Sequence, residues 1–150
     1  DMLRFYYNRC RSGQALPLVP VIHKAIVRRH FTPELAGTLA SFERDTPQAA
    51  YIMVDGSHRT TASALAGRDI DVIVYARDTD IAEARGLVAT GQVLQNSTLT
   101  HSLVENCLIL RQHFEDRTYF MTVQQKTEKL IRDHYIERYG LLQDLDDTPQ

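Results

Sequence analysis

The sequence predicts a mixed α/β (α+β) fold, a compact domain over residues 1–95 followed by a C-terminal helical extension over 96–150. Three observations predict it. Residues 50–54 and 70–75 are short apolar runs of strand length. Between them lies an alanine-rich stretch of helical length that stops at Gly67. Beyond residue 95, apolar side chains recur every three or four positions over two longer stretches.

Each element has a local reason. Residues 3–12 are aromatic and basic, and predict a short helix stopped at Gly13, with Phe5, Tyr6 and Tyr7 as packing groups. Leu16 to Ile22 is apolar and β-branched but carries Pro17 and Pro20, which predicts an edge strand or extended arm, because proline has no N–H to give to a ladder. Thr32-Pro33-Glu34 is a helix start: a capping hydroxyl, proline at the first helical position, then an acid in the first turn. Leu35, Leu39 and Phe42 then form one stripe, so 32–44 is an amphipathic helix and 45–48 its terminating loop.

Ala50 to Val54 suits a buried strand, Thr60 to Ala66 a helix, and Ile70 to Tyr75 a second strand. A parallel pair joined by a right-handed crossover is the expected arrangement. Asp80-Ile81-Ala82-Glu83 opens a further helix running to about Ala89, with Gly91 as its stop. Leu99, Leu103, Cys107, Leu110 and Phe114 share one side of a helix over 98–114. Thr122 and Gln125 form a capping-box pattern for a helix over 122–139, in which Val123, Leu130, Ile131 and Tyr135 share a face. The acidic tail 144–150 is expected to fray.

Composition narrows the function classes. Hydrophobic residues make up 43% and charged residues 24%, with a net charge of -2 and a pI near 6.3. That is the balance of a globular protein large enough to bury about two thirds of its unfolded surface. It argues against a polyanion-binding or membrane protein, and leaves DNA binding at most weak and non-specific. Cys10 and Cys107 stand far apart, which suits a reducing, cytoplasmic setting, with Cys107 on the apolar side of its helix. The basic residues Arg4, Arg9, Arg11, Lys24, Arg28 and Arg29 fit a solvated surface better than a nucleic-acid patch, and His23 and His30 fit packing or surface roles. His101 and Glu105 lie one turn apart, but no third metal ligand accompanies them.

The chemistry concentrates at Asp55-Gly56-Ser57-His58-Arg59. A strand that turns directly into a helix leaves the first helical N–H groups without intrahelical partners, aimed together out of the turn, where the helix dipole favours an anion. Gly56 lets the backbone turn and a ligand approach closely. Ser57 can cap the helix or donate to a phosphate oxygen, His58 adds a donor, and Arg59, expected at an exposed helix start, can grip a phosphate with two parallel bonds. Thr60 and Thr61 add hydroxyls. Asp55 could orient His58 or Arg59, hold Mg2+ through water, or act as a base. The competing reading is an ordinary strand-to-helix turn capped by Ser57.

The run from Tyr51 to Arg59, the alanine-rich helix to Gly67, and Ile70-Asp71-Val72-Ile73-Val74 together resemble the ParB/sulfiredoxin-like superfamily over roughly residues 16–90. The resemblance implies nucleotide phosphates bound at this turn, as in chromosome-partition CTPases, sulfiredoxins and free-serine kinases. Sulfiredoxin chemistry needs a cysteine where this chain has Ser57, and the partition proteins' helix-turn-helix has no clear counterpart in 92–139. The serine-kinase branch is closest in form. It uses an upstream carboxylate as base, for which Glu34 and Glu43 are the candidates. The family's extra strand before Tyr51 does not fit in the short loop 45–49.

The implied function is a nucleotide-dependent phosphotransferase or NTPase acting on a small molecule. Gly56, Ser57, His58, Arg59 and Thr60 would lie at the phosphates, with Asp55 and Glu34 as catalytic candidates and ATP, ADP or CTP, with Mg2+, as ligand. The alternative is a non-catalytic nucleotide-sensing or DNA-partition module, or an interaction domain whose turn takes no ligand. The helices over 98–139 would either cover the domain's own sheet or form a homodimer.

Overall fold

The computed structural model describes residues 2–117 and 119–132. Among them the fold is mixed α/β, with seven helices and a small three-stranded mixed sheet. The elements are α1 (Met2–Arg11), β1 (Val19–His23), α2 (Lys24–Arg28), α3 (Pro33–Asp45), β2 (Tyr51–Met53), α4 (Ser57–Leu65), β3 (Val72–Val74), α5 (Asp78–Gly86), a 3-10 turn (Ser97–Thr100), α6 (Leu103–Arg117) and α7 (Val123–Arg132). No helix among the described residues is long and apolar enough to cross a membrane.

The described residues form two compact units: residues 16–57 with 70–120, and residues 2–15, 58–69 and 121–132. These units interleave along the chain. Strands β2 and β3, with 18 residues between them in the chain, belong to one unit, while nearly all of the intervening α4 belongs to the other.

In the sheet-bearing unit the strand order is β2-β1-β3. β1 runs antiparallel to β2, with Val21 opposite Met53 and His23 opposite Tyr51, and parallel to β3, with Val19 opposite Val72. The expected edge strand is therefore the central one, and β2 and β3 are not a neighbouring parallel pair. Pro20 is tolerated because of its register. Val19 donates to Asp71 and Tyr75 donates to Val21, so the odd residues of β1 serve β3. Pro20 serves the β2 side, at the last rung, where its carbonyl accepts from Val54 N–H at 2.9 Å. The missing proline donor costs one bond at the end of a ladder rather than one in its middle. β2, expected to be buried, is an edge strand with Tyr51 half exposed.

Side chains alternate across the sheet. Ile22 and Tyr75 join Val27, Ile81, Ala84, Val93, Leu99, Cys107 and Leu110 in one core cluster, against which Ile52, Val54 and Ile73 pack. α6 packs on α2 and α3 and supplies Cys107 and Leu110 to this core. Phe31, Phe42, Phe114 and Phe120 add an aromatic cluster, with the rings of Phe114 and Phe120 stacked at 4.3 Å. α3 starts as its sequence predicts, with Thr32 Oγ1 accepting from Leu35 N–H.

The expected helix over 98–114 is two elements. The 3-10 turn ends at His101, and α6 has its own start: Ser102 Oγ accepts from Glu105 N–H at 3.1 Å while Glu105 Oε1 accepts from Ser102 N–H at 3.0 Å. α5 begins at Asp78, two residues earlier than expected, where Asp80 accepts from the N–H groups of Ala76 and Arg77.

The other unit holds α1, α7 and all of α4 beyond its first residue. α1 buries Leu3, Tyr6, Tyr7 and Cys10. The Cys10 thiol lies 3.9 Å from the Ser63 hydroxyl of α4. α4 closes at Gly67, where Arg68 N–H bonds the Ser63 carbonyl and Gly67 N–H that of Ala64, with Gly67 at φ +66° as the left-handed residue such a closure requires. The Thr122–Gln125 capping box of α7 forms in both directions, at 2.9 and 3.0 Å. The expected continuation to residue 139, with Tyr135, and the tail 144–150 lie outside the described residues.

Candidate functional site

β2 ends at Met53, and Val54, Asp55 and Gly56 carry the chain from the strand to the next helix. Gly56 takes φ +105°, a conformation that a Cβ makes costly, and α4 begins at the next residue. Ser57 is thus the first helical residue rather than clearly the cap before it. The first N–H groups of this nine-residue helix fall within residues 57–60. The chain passes from one compact unit to the other between Ser57 and His58.

On the strand side, Asp55 is exposed and Gly56 and Ser57 are half-buried. Asp55 Oδ2 accepts from Asn96 Nδ2 at 3.2 Å. Asn96 was not legible as a site residue. Asn96-Ser97-Thr98 carries a capping signal for the 3-10 turn, but its partner lies 41 positions away in sequence, beyond any local pattern.

On the helix side, His58 is exposed, but Arg59 is only 2% exposed. This corrects the expectation of an arginine standing out at the helix start. α4 buries a consecutive run, Arg59 to Ser63, and its threonine, alanine and serine side chains are small enough for close packing. Arg59 is not without partners, as a buried guanidinium requires. Thr60 and Thr61 are also buried, at 3% and 2% exposure.

The two upstream carboxylates lie on α3. Glu34 is exposed in the first turn of α3, and among the described residues no hydrogen bond or ion pair joins it to residues 55–60. Glu43 is held by Lys24 at 2.9 Å and by Arg28. Hydrogen bonds from Lys24 first, then Arg28, hold its carboxyl below the usual range, so it is a structural anion rather than a proton acceptor near neutrality. Those pairs also account for two of the basic residues considered for phosphate contacts. Arg9 and Arg11 lie over the rings of Phe5 and Tyr7, at 5.5 and 5.8 Å.

His101 Nδ1 lies 3.5 Å from the Glu105 carboxylate, which is also committed to the Ser102 backbone, the main cause of its lowered pKa. Among the described residues no three His, Cys, Asp or Glu side chains cluster as metal ligands. Cys107 is fully buried, and burial raises its thiol pKa, which makes it a core group.

The chain matches no family model, and no curated protein or solved structure matches it significantly.

Proposed function

We propose that this chain is a nucleotide-dependent phosphotransferase or NTPase of the ParB/sulfiredoxin-like kind, taking nucleotide phosphates at the 55–59 turn. One observation carries the reading: Asp-Gly-Ser-His-Arg runs from just past the end of β2 through a positive-φ glycine into the start of a nine-residue helix, with only residues 54–56 between strand and helix. A helix that starts at such a turn directs the positive end of its dipole toward an anion. His58 is the exposed side chain suited to reach a phosphate, whereas Arg59 is buried. Asp55, exposed at the strand end, is suited to Mg2+ or to a proton. Phosphoryl transfer is mostly positioning and charge stabilisation, which this set can supply. The setting would be cytoplasmic, where nucleotide is abundant and buried, unpaired Cys10 and Cys107 stay reduced.

Calorimetry with ATP, ADP and CTP, with and without Mg2+, tests the reading, and phosphate release separates turnover from sensing. Binding of at least one nucleotide, weakened by His58→Ala without loss of fold, is the expected result. If none of the three binds, the reading is wrong.

A further inference from the structure

Asp55 is tied to a braced polar chain within its own unit. Asn96 Oδ1 accepts from the N–H and the hydroxyl of Thr98. A backbone N–H can only donate, so the oxygen of the Asn96 amide must face Thr98 and its nitrogen must face the other way. That nitrogen donates to Asp55 Oδ2 at 3.2 Å. The turn carrying Asn96 is held from the core. Asn106, 1% exposed, donates to the carbonyls of Thr98 and Ser102 at 3.1 and 3.0 Å, and Arg85 Nε donates to that of Leu99 at 2.7 Å. Thr98 and Leu99 are themselves buried.

We infer that Asn96 is a positioning residue that sets the orientation of the Asp55 carboxylate for Mg2+–phosphate chemistry, an inference that rests on reading the 55–59 turn as the phosphate site. The two ends of the Asn96 amide do separate jobs. The oxygen caps the 3-10 turn, and the nitrogen reaches across to the strand end. An amide donor fixes a carboxylate without cancelling its charge, whereas a lysine or arginine in the same place would compete with the cation. The residues bracing Asn96 are mostly buried, so they would hold the exposed carboxylate in one rotamer while the site opens to ligand.

Asn96→Ser separates the jobs. Serine caps as well as asparagine but is too short to reach Asp55. With Mg2+ and the nucleotide that the wild type turns over, kcat should fall about tenfold or more, with KM changed by no more than about twofold. If the wild type binds nucleotide without turnover, the Mg2+-dependent part of binding should weaken by about the same tenfold factor. The ligand-free protein supplies a second readout: the Asn96 side-chain amide resonances should shift on Asp55→Ala, while melting of Asn96→Ser stays close to wild type. Unchanged kcat and unchanged Mg2+ dependence in Asn96→Ser would reduce Asn96 to a cap and leave the phosphate reading standing. Amide resonances indifferent to Asp55→Ala would overturn the link itself. A wild-type protein that binds none of ATP, ADP or CTP removes the reading beneath it, and the inference falls with it.

Discussion

Arg59 carries a permanent charge with only 2% of its surface exposed, so its surroundings must compensate that charge. Arg59→Ala should therefore destabilise the ligand-free protein by roughly 1–3 kcal/mol, the cost of leaving buried partners unsatisfied, seen as a lower Tm. It cannot serve as a pure binding variant, and His58→Ala can. With His58→Ala the ligand-free Tm should hold, while the nucleotide-induced rise shrinks; wild-type stabilisation at a hundred times Kd would be about 2.7 kcal/mol. A full rise in His58→Ala would remove His58 from the phosphate contacts.

Glu43 gives a pH-dependent case. Its folded pKa is depressed by Lys24 and Arg28, so its contribution is complete above the unfolded value of about 4.3 and is lost as pH falls from there through the folded pKa. Because the trio is partly solvated, Glu43→Gln should cost about 1 kcal/mol or less near pH 7, and denaturant titrations of variant and wild type should converge at low pH.

Among elements, α6 owes its start to a reciprocal cap. Ser102→Ala removes the acceptor for Glu105 N–H and should cost about 1 kcal/mol, measurable by urea unfolding. The Ser-x-x-Glu signal at 102–105 stands in the sequence, yet the apolar spacing from Leu99 to Phe114 runs through it and suggests one continuous helix. β1 shows the opposite failure. Its prolines point to an edge, but which ladder rung a proline occupies depends on the register with a partner strand, and no local pattern encodes that. α3, α4 and α7 were legible because each start or stop lies within a few residues: Thr32-Pro33, Gly67 and Thr122 with Gln125.

For the whole molecule, the outer side of α6 leaves Val104, Leu108 and Ile109 between 38% and 49% exposed, enough to make self-association a measurable expectation. Light scattering should give a dimer mass that falls to the monomer in Leu108→Glu; a strict monomer at high concentration would end that idea. The net charge of -2, with Lys24 and Arg28 already paired to Glu43, predicts only weak duplex-DNA binding that disappears with added salt. Tight binding to one duplex at physiological salt would favour the partition-type alternative.

The sequence by itself determined the mixed α/β class, the order strand, Asp-Gly turn, helix, strand across residues 50–76, and the main helix caps, because propensity, capping and glycine stops act over a few residues. Tertiary structure alone decided that β1 lies at the centre of the sheet, that the compact units interleave, that Arg59 is buried and that Asn96 meets Asp55. Each of these depends on partners distant in the chain. Register, burial and the direction of one amide are set by which surfaces meet, and no local spacing of residues specifies that.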